Sequence, residues 1–393
     1  MLSFRGMRST STLDCLGLVA ATVLTRFATR SRALYDLDSV NYALALDHFD
    51  PVAHQPQPPG YFLYVMTARA IRLLTGDSNA ALVAMSIAAS AALVVVLYFL
   101  TREWFDRRSA LLAGALFVVS PLCWFHGTVA LTYIVEAFFS ALVGWMCWKA
   151  SKGSSWHAIL GALLIGIAAG FRPSSALFLL PLWFFSTSSV SWLRRTQGVA
   201  AMILTGLAWF IPMVVQAGGN ARYFRSLRDL WSIVPGAASV LSSSPLLSLA
   251  RGVTVVFILA LCFGWFSGLL LLRPRTPLPP SQRVFVWIWI TPALLFFALV
   301  FLKFVNSGYL LVITPPLFAL LGKRAADLLH GRKMWSWKGI GAVAFAAGNL
   351  AIYFFAPLYC SFSEVRRSEH DLANSASPCH GNKQSFFPTP MNV

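Results

Sequence analysis

Eleven apolar stretches recur along this chain, each near the length that crosses a bilayer: Leu13–Ala28, Ala80–Leu100, Ser109–Phe125, Tyr133–Trp148, Trp156–Phe171, Ala176–Trp192, Val199–Ala217, Gly252–Leu272, Val284–Leu302, Gly308–Gly322 and Gly339–Leu358. A helix needs about 20 apolar residues to span about 30 Å of hydrocarbon. Inside lipid every backbone N–H and C=O must be satisfied within the protein, so such segments fold as helices. The chain is therefore expected to be an all-α polytopic membrane protein of about 11 transmembrane helices. Composition agrees: 57% of the residues are hydrophobic and only 11% are charged, where soluble domains carry about 25% charge. The net charge of +17 does not point to nucleic acid, because the basic residues lie between apolar runs, where they orient a membrane protein.

With the N-terminus inside, Arg102, Arg107, Arg108, Lys149, Lys152, Arg194, Arg195, Lys323 and Arg324 fall on inner loops; Arg26, Arg30 and Arg32 argue the other way. No small-residue cleavage site follows the first apolar run before Arg26, so the run reads as a retained span. One domain over residues 1–358 is the simplest division. The segment 359–393, rich in Ser, Asn, His and Pro, reads as a poorly ordered tail. Cys15, Cys123, Cys147 and Cys262 lie in apolar runs and behave as small hydrophobes. Cys360 and Cys379 share the tail and pair only if it faces an oxidising compartment.

The loop between the first two apolar stretches stands apart. The chain has 14 acidic residues, and Asp36, Asp38, Asp47, Asp50 and Asp77 all lie here, on the predicted outer side. Ser39–Leu46 suits a short helix. Asp38 is then either its N-cap or a carboxylate aimed into a cavity; Asp36, two residues away, shares its face if the segment is extended. His54-Gln55-Pro56-Gln57-Pro58-Pro59-Gly60-Tyr61 follows as a stiff turn, proline fixing φ and glycine permitting the bend.

At these residues the chain resembles the GT-C class of multi-span glycosyltransferases, which includes protein O-mannosyltransferases and the aminoarabinose transferase of lipid A. Asp38-Ser39 stands where that class has its first-loop acidic motif, with Ser39 in place of a frequent Glu, and His54–Tyr61 resembles the turn that follows. Three further stretches match in order: Ser120–Gly127 with Thr132–Glu136, then Gly166–Pro173, then Gly308–Pro316. The resemblance implies a polyprenyl-phosphate-linked sugar as donor, transferred with inversion to a hydroxyl on a lipid, glycan or protein. It also implies a bacterial inner membrane, with the site facing the periplasm or exterior.

Phosphate is a good leaving group, so such a reaction needs one base for the acceptor and cations for the departing phosphate. Asp38 is the expected base, with Asp36 as the alternative. His54, Gln57, Tyr61, Glu136 and Tyr309 are the expected substrate-binding residues around it. Asn220–Val234 has helical amphipathicity, with Tyr223, Leu227, Leu230, Trp231 and Val234 on one side and Arg222, Arg225 and Arg228 on another. Arg222 and Arg225 are candidate phosphate ligands, as are Arg172 and Lys303 at outer span ends. His48 and His126 lie on the same side, and Tyr64, Trp124 and Trp231 are candidate sugar-stacking rings. The sequence identifies no cofactor for certain, and a divalent cation is possible: Asp36, Asp38 and His54 are suitable ligands, although their spacing does not demand one. The rival reading is a transporter or flippase for a lipid or small solute, which would place ionisable groups in mid-span.

Overall fold

The computed structural model describes residues 2–238, 245–271, 277–300, 307–329, 337–355 and 361–375. These residues are helical almost throughout: α1 (Leu2–Ala28), α2 (Leu37–Asp47), α3 (Phe62–Thr75), α4 (Ser78–Trp104), α5 (Arg107–Val118), α6 (Pro121–His126), α7 (Tyr133–Ser151), α8 (Ser155–Phe171), α9 (Ser174–Ser186), α10 (Trp192–Gln216), α11 (Asn220–Ala238), α12 (Pro245–Phe263), α13 (Pro280–Leu295), α14 (Thr314–Leu328), α15 (Trp337–Phe355) and α16 (Phe362–Ser375). Each of the eleven predicted stretches falls largely on helix. Among the described residues, five helical segments are long and apolar enough to cross a membrane: Ser11–Ala28, Ser78–Trp104, Trp192–Gln216, Pro280–Val300 and Ser307–Leu328. Shorter apolar helices cover Ser155–Phe171, Ser174–Ser186, Gly252–Gly268 and Val343–Phe355.

Proline accounts for two departures from continuous spans. The predicted stretch Ser109–Phe125 breaks at Ser120, whose hydroxyl caps α6 through the Cys123 N–H while Pro121 opens the new helix. A residue before proline avoids the α region, and proline itself suits a first turn. Gly308–Gly322 likewise begins as 3-10 helix over Ser307–Ile313 and becomes α14 at Thr314-Pro315-Pro316.

The bundle is built from packed neighbours: α1 on α4, α4 on α5 and α7, α7 on α8, α8 on α10, and α5 on α14. Its two ends differ in charge. At one end Arg107 grips Asp14 through two nitrogens, at 2.6 and 2.7 Å. There too Lys149 lies 3.3 Å from Glu103, and Arg108 donates to the Leu329 carbonyl at 2.6 Å. The acidic loop is at the other end. Arg26, which on sequence opposes this orientation, is not a loop charge. It is fully buried, donates to the carbonyls of Val118 (2.7 Å) and Phe117 (3.2 Å) at the end of α5, and lies 4.9 Å from the centre of the Trp124 ring. A cation suits helix C-terminal carbonyls.

Part of the segment read as a tail is helical. Residues 362–375 form α16, capped by Ser361 and seated on α15, with Phe362 5.3 Å from Phe354 and Val365 buried. Cys360 and Cys379 lie outside the described residues.

Candidate functional site

The acidic loop folds by giving most of its carboxylates structural work. Asp36, not Asp38, is the N-cap of α2, accepting from the Asp38 N–H at 3.0 Å; the capping role expected for Asp38 is corrected accordingly. Asp47 pairs with Arg72 at 2.7 Å. Asp50 caps the 3-10 turn Pro51–Ala53 through the Val52 N–H and binds Arg222 at 2.6 Å. Asp77 caps α4 through the Ala80 N–H. Asp38 stands in the first turn of α2, one helical turn before Tyr42, the residue that meets Tyr61 and Tyr64.

Asp38 and Tyr42 are four residues apart, hence on one face of α2. Ser39, in the place of the frequent Glu, is buried and donates to the Ala130 carbonyl at 2.9 Å. It pins α2 onto the 127–132 turn, which Ser86 holds from below through the Val129 carbonyl at 2.8 Å. The Tyr42 ring meets Tyr61 edge-on at 5.3 Å and Tyr64 at 4.9 Å, and its hydroxyl accepts from Gln57 Nε2 at 3.2 Å. Burial pushes the Tyr42 and Tyr61 hydroxyls above the ordinary phenol range; Asp38 adds to the shift and Arg172 opposes it. Both therefore stay protonated at neutral pH and serve as hydrogen-bonding groups rather than bases.

Arg172 is the centre of this arrangement. It is the C-cap of α8, buried, with its guanidinium carbon 4.4, 5.6 and 5.9 Å from the ring centres of Tyr133, Tyr309 and Tyr61. Its Nε lies 2.8 Å from Glu136 Oε2, a close charge contact that lacks the alignment of a hydrogen bond. Its Nη1 donates to Thr132 Oγ1 at 2.7 Å. Nη2 makes no hydrogen bond among the described residues and, unlike Nε, is not sealed off. Glu136 is itself held by the hydroxyls of Ser174 (2.7 Å) and Ser175 (3.3 Å). A buried ion pair needs such extra hydrogen bonds to offset desolvation. The result is a rigid cation with one edge left over, facing an aromatic wall.

The remaining candidates divide. Tyr309 is buried in the 3-10 segment, 5.4 Å from Tyr133, and Gly308 leaves no room for a side chain, since a Cβ there would sit 2.3 Å from the Tyr133 ring. His126 is buried behind Tyr133 and meets Ser307 Oγ at 3.3 Å. His54 and His48 are exposed and stand apart from the cluster. Arg222 is occupied by Asp50 and Arg225 is exposed on α11, so neither shares the Arg172 cluster. Trp124 supports Arg26 and stacks on Tyr353 at 4.8 Å. Lys303 and the Trp231 side chain lie outside the described residues. No three His, Cys, Asp or Glu side chains are placed to hold a metal among the described residues, so Asp36, Asp38 and His54 are not gathered as a cation site. Sequence reasoning passed over Tyr42, Thr132, Tyr133, Ser174 and Ser175. The i, i+4 spacing to Asp38 marks Tyr42, and the i, i+3 spacing to Glu136 marks Tyr133.

A family model for dolichyl-phosphate-mannose-protein mannosyltransferase matches residues 57–215. The structure is similar to ArnT from Cupriavidus metallidurans bound to undecaprenyl phosphate, with a TM-score of 0.63 and 18% identity over 89% of this chain and 67% of that one. This chain has the GT-C fold. The apo state of the same transferase gives a TM-score of 0.58. The apo oligosaccharyltransferase of Archaeoglobus fulgidus gives 0.50 at 15% identity, over 90% of this chain and 56% of that one. No curated protein matches by sequence. The matched segment 57–215 contains Tyr61, Glu136 and Arg172, while Asp38 lies upstream of it.

Proposed function

We propose that this GT-C chain is a membrane glycosyltransferase that moves a sugar from a polyprenyl-phosphate donor to an acceptor hydroxyl, with inversion at the sugar carbon. The observation that carries the reading is the leftover Nη2 edge of buried Arg172, set in a ring of tyrosines that includes Tyr61, which meets Tyr42 one helical turn from Asp38. The donor class is supported by the family model and by the bound undecaprenyl phosphate of the similar transferase.

Asp38 takes the proton from the acceptor hydroxyl as its oxygen attacks the anomeric carbon. The bond from that carbon to the phosphate oxygen breaks on the opposite face, and the lipid phosphate leaves with the electron pair. Arg172 neutralises the charge that develops there, supplying the fixed, partly desolvated cation that such a step favours. Phosphate leaves without protonation, so one carboxylate suffices, unlike the pair that glycoside hydrolysis requires. Tyr61, half-buried beside Arg172, offers a face for the sugar, and Gln57 holds the Tyr42 hydroxyl.

The proposed setting is a bacterial inner membrane with the Asp38 end toward the periplasm or exterior. The site charges stand at helix ends rather than along a mid-span path, which favours an enzyme over a transporter. The test is to supply membranes holding the protein with radiolabelled polyprenyl-phosphate sugars and follow the label. Transfer to a lipid, glycan or protein is expected. Retention of all label on the donor across the sugar series, or movement of intact donor between leaflets without cleavage, would overturn the reading.

A further inference from the structure

The first loop is held by an element that the proposed chemistry does not use. The C-terminal helix α16 places Glu369 against the segment that leads from α1 into α2: its Oε1 accepts from the Arg32 N–H at 2.5 Å and lies 3.3 Å from the Ser31 hydroxyl, which donates to the Ala33 carbonyl at 2.6 Å. The other Glu369 oxygen binds Arg366 on the same helix. Ser31 is buried and tied twice more, its N–H donating to the Thr128 carbonyl at 2.8 Å and its carbonyl accepting from Asn79 Nδ2 at 3.1 Å. The same short stretch ends at Asp36, the cap of α2, and α2 carries Asp38 in its first turn. One side chain from the far end of the chain thus completes the clamp just upstream of the expected base.

We propose that α16 is a strap and Glu369 a positioning residue: by accepting from the Arg32 N–H beside Ser31 it sets the angle at which α2 presents Asp38. This rests on the proposed function for its catalytic meaning, but the mechanical claim stands apart from it. A carboxylate accepting a backbone N–H is a strong, charge-assisted bond. Arg172 reaches the site from the α8–α9 junction, and among the described residues its ion pair and hydrogen bond go to Glu136 and Thr132 rather than to the 29–36 segment, so phosphate binding is independent of the strap. Glutamine at 369 keeps an oxygen for the Arg32 N–H. Alanine removes it, and aspartate keeps the charge but falls short by one methylene.

The test uses the full chain in lipid nanodiscs and reads both hydrogen exchange and sugar transfer. In Glu369→Ala and Glu369→Asp, amides of the 31–40 segment are expected to exchange faster by about tenfold, the scale of one lost charge-assisted bond. Those around Arg172 should be unchanged, and Glu369→Gln should restore protection. In transfer, kcat for the Ala and Asp variants falls by about tenfold to about a hundredfold while the donor KM holds, because small displacements of a reacting group cost that much. A general loss of fold would raise exchange everywhere and spare neither constant. Unchanged exchange at 31–40 in both variants, or a loss that Gln fails to rescue, overturns the strap. If exchange responds as stated but the wild-type protein transfers no sugar, the strap stands and the proposed function falls.

Discussion

Arg172 commits Nε to Glu136 and Nη1 to Thr132, so its remaining edge is aimed by the protein rather than by the ligand. Lysine at 172 would keep the charge but lose the planar fork that makes these contacts together. Arg172→Lys is therefore expected to weaken binding of polyprenyl phosphate by about tenfold or more, the cost of one strong charged hydrogen bond, as read by thermal protection against added undecaprenyl phosphate. Glu136→Ala leaves the cation buried without its partner and should destabilise the fold by about 3–5 kcal/mol, measured by unfolding in detergent. The raised Tyr42 and Tyr61 hydroxyls give a third expectation: the pH–rate profile should show no limb from tyrosine ionisation below pH about 10. The sequence marks Asp38, Glu136 and Arg172 as chemistry because carboxylates are few in this chain and these groups gather on its predicted outer side. It does not separate Asp36 from Asp38, since both suit a cap; helix register, which puts Asp36 just before Leu37, settles it. Nor does it tell Arg222 from Arg172, because the Asp50 partner of Arg222 is distant in the chain.

At the scale of elements, the loop after α2 is a braced turn. Tyr223 of α11 donates to the Pro59 carbonyl at 3.0 Å, Arg222 of α11 holds Asp50, and α3 begins at Tyr61 in a left-handed conformation with φ 45°. Gly60 has φ +114°, and a Cβ there would lie 2.8 Å from Met213 Sδ. Gly60→Ala should therefore strain the turn by about 1–2 kcal/mol from the conformation alone and lower sugar transfer while leaving the bundle folded; activity per folded molecule checks it. Periodicity reveals α11 readily, since its apolar and basic faces are distinct. It misses α3, where Arg69 and Arg72 interrupt the apolar pattern and are satisfied by the Ala45 and Leu46 carbonyls. It misses α16 because that helix is short and polar. Ser361-Phe362-Ser363-Glu364, an N-capping pattern, is the local signal that marks its start.

For the whole molecule, hydropathy reads the helical bundle well because lipid leaves few alternatives to helix, whereas convergence of the site depends on which helix ends meet, and that is set by packing. The charge asymmetry of the two ends leads to a topology prediction. A cysteine placed at exposed Ala53 should react with an impermeant maleimide from outside intact cells, and one placed at exposed Lys152 only after permeabilisation; the opposite pattern would invert the assignment. The most direct measurement is the single-turnover rate of transfer from radiolabelled polyprenyl-phosphate sugar by Asp38→Asn beside Asp36→Asn, with each protein shown to be folded and to bind the lipid phosphate. Loss of a general base predicts a fall of about 10²–10⁴-fold for Asp38→Asn and a much smaller one for Asp36→Asn, which keeps a side chain able to cap. A near-normal rate for Asp38→Asn would contradict the account.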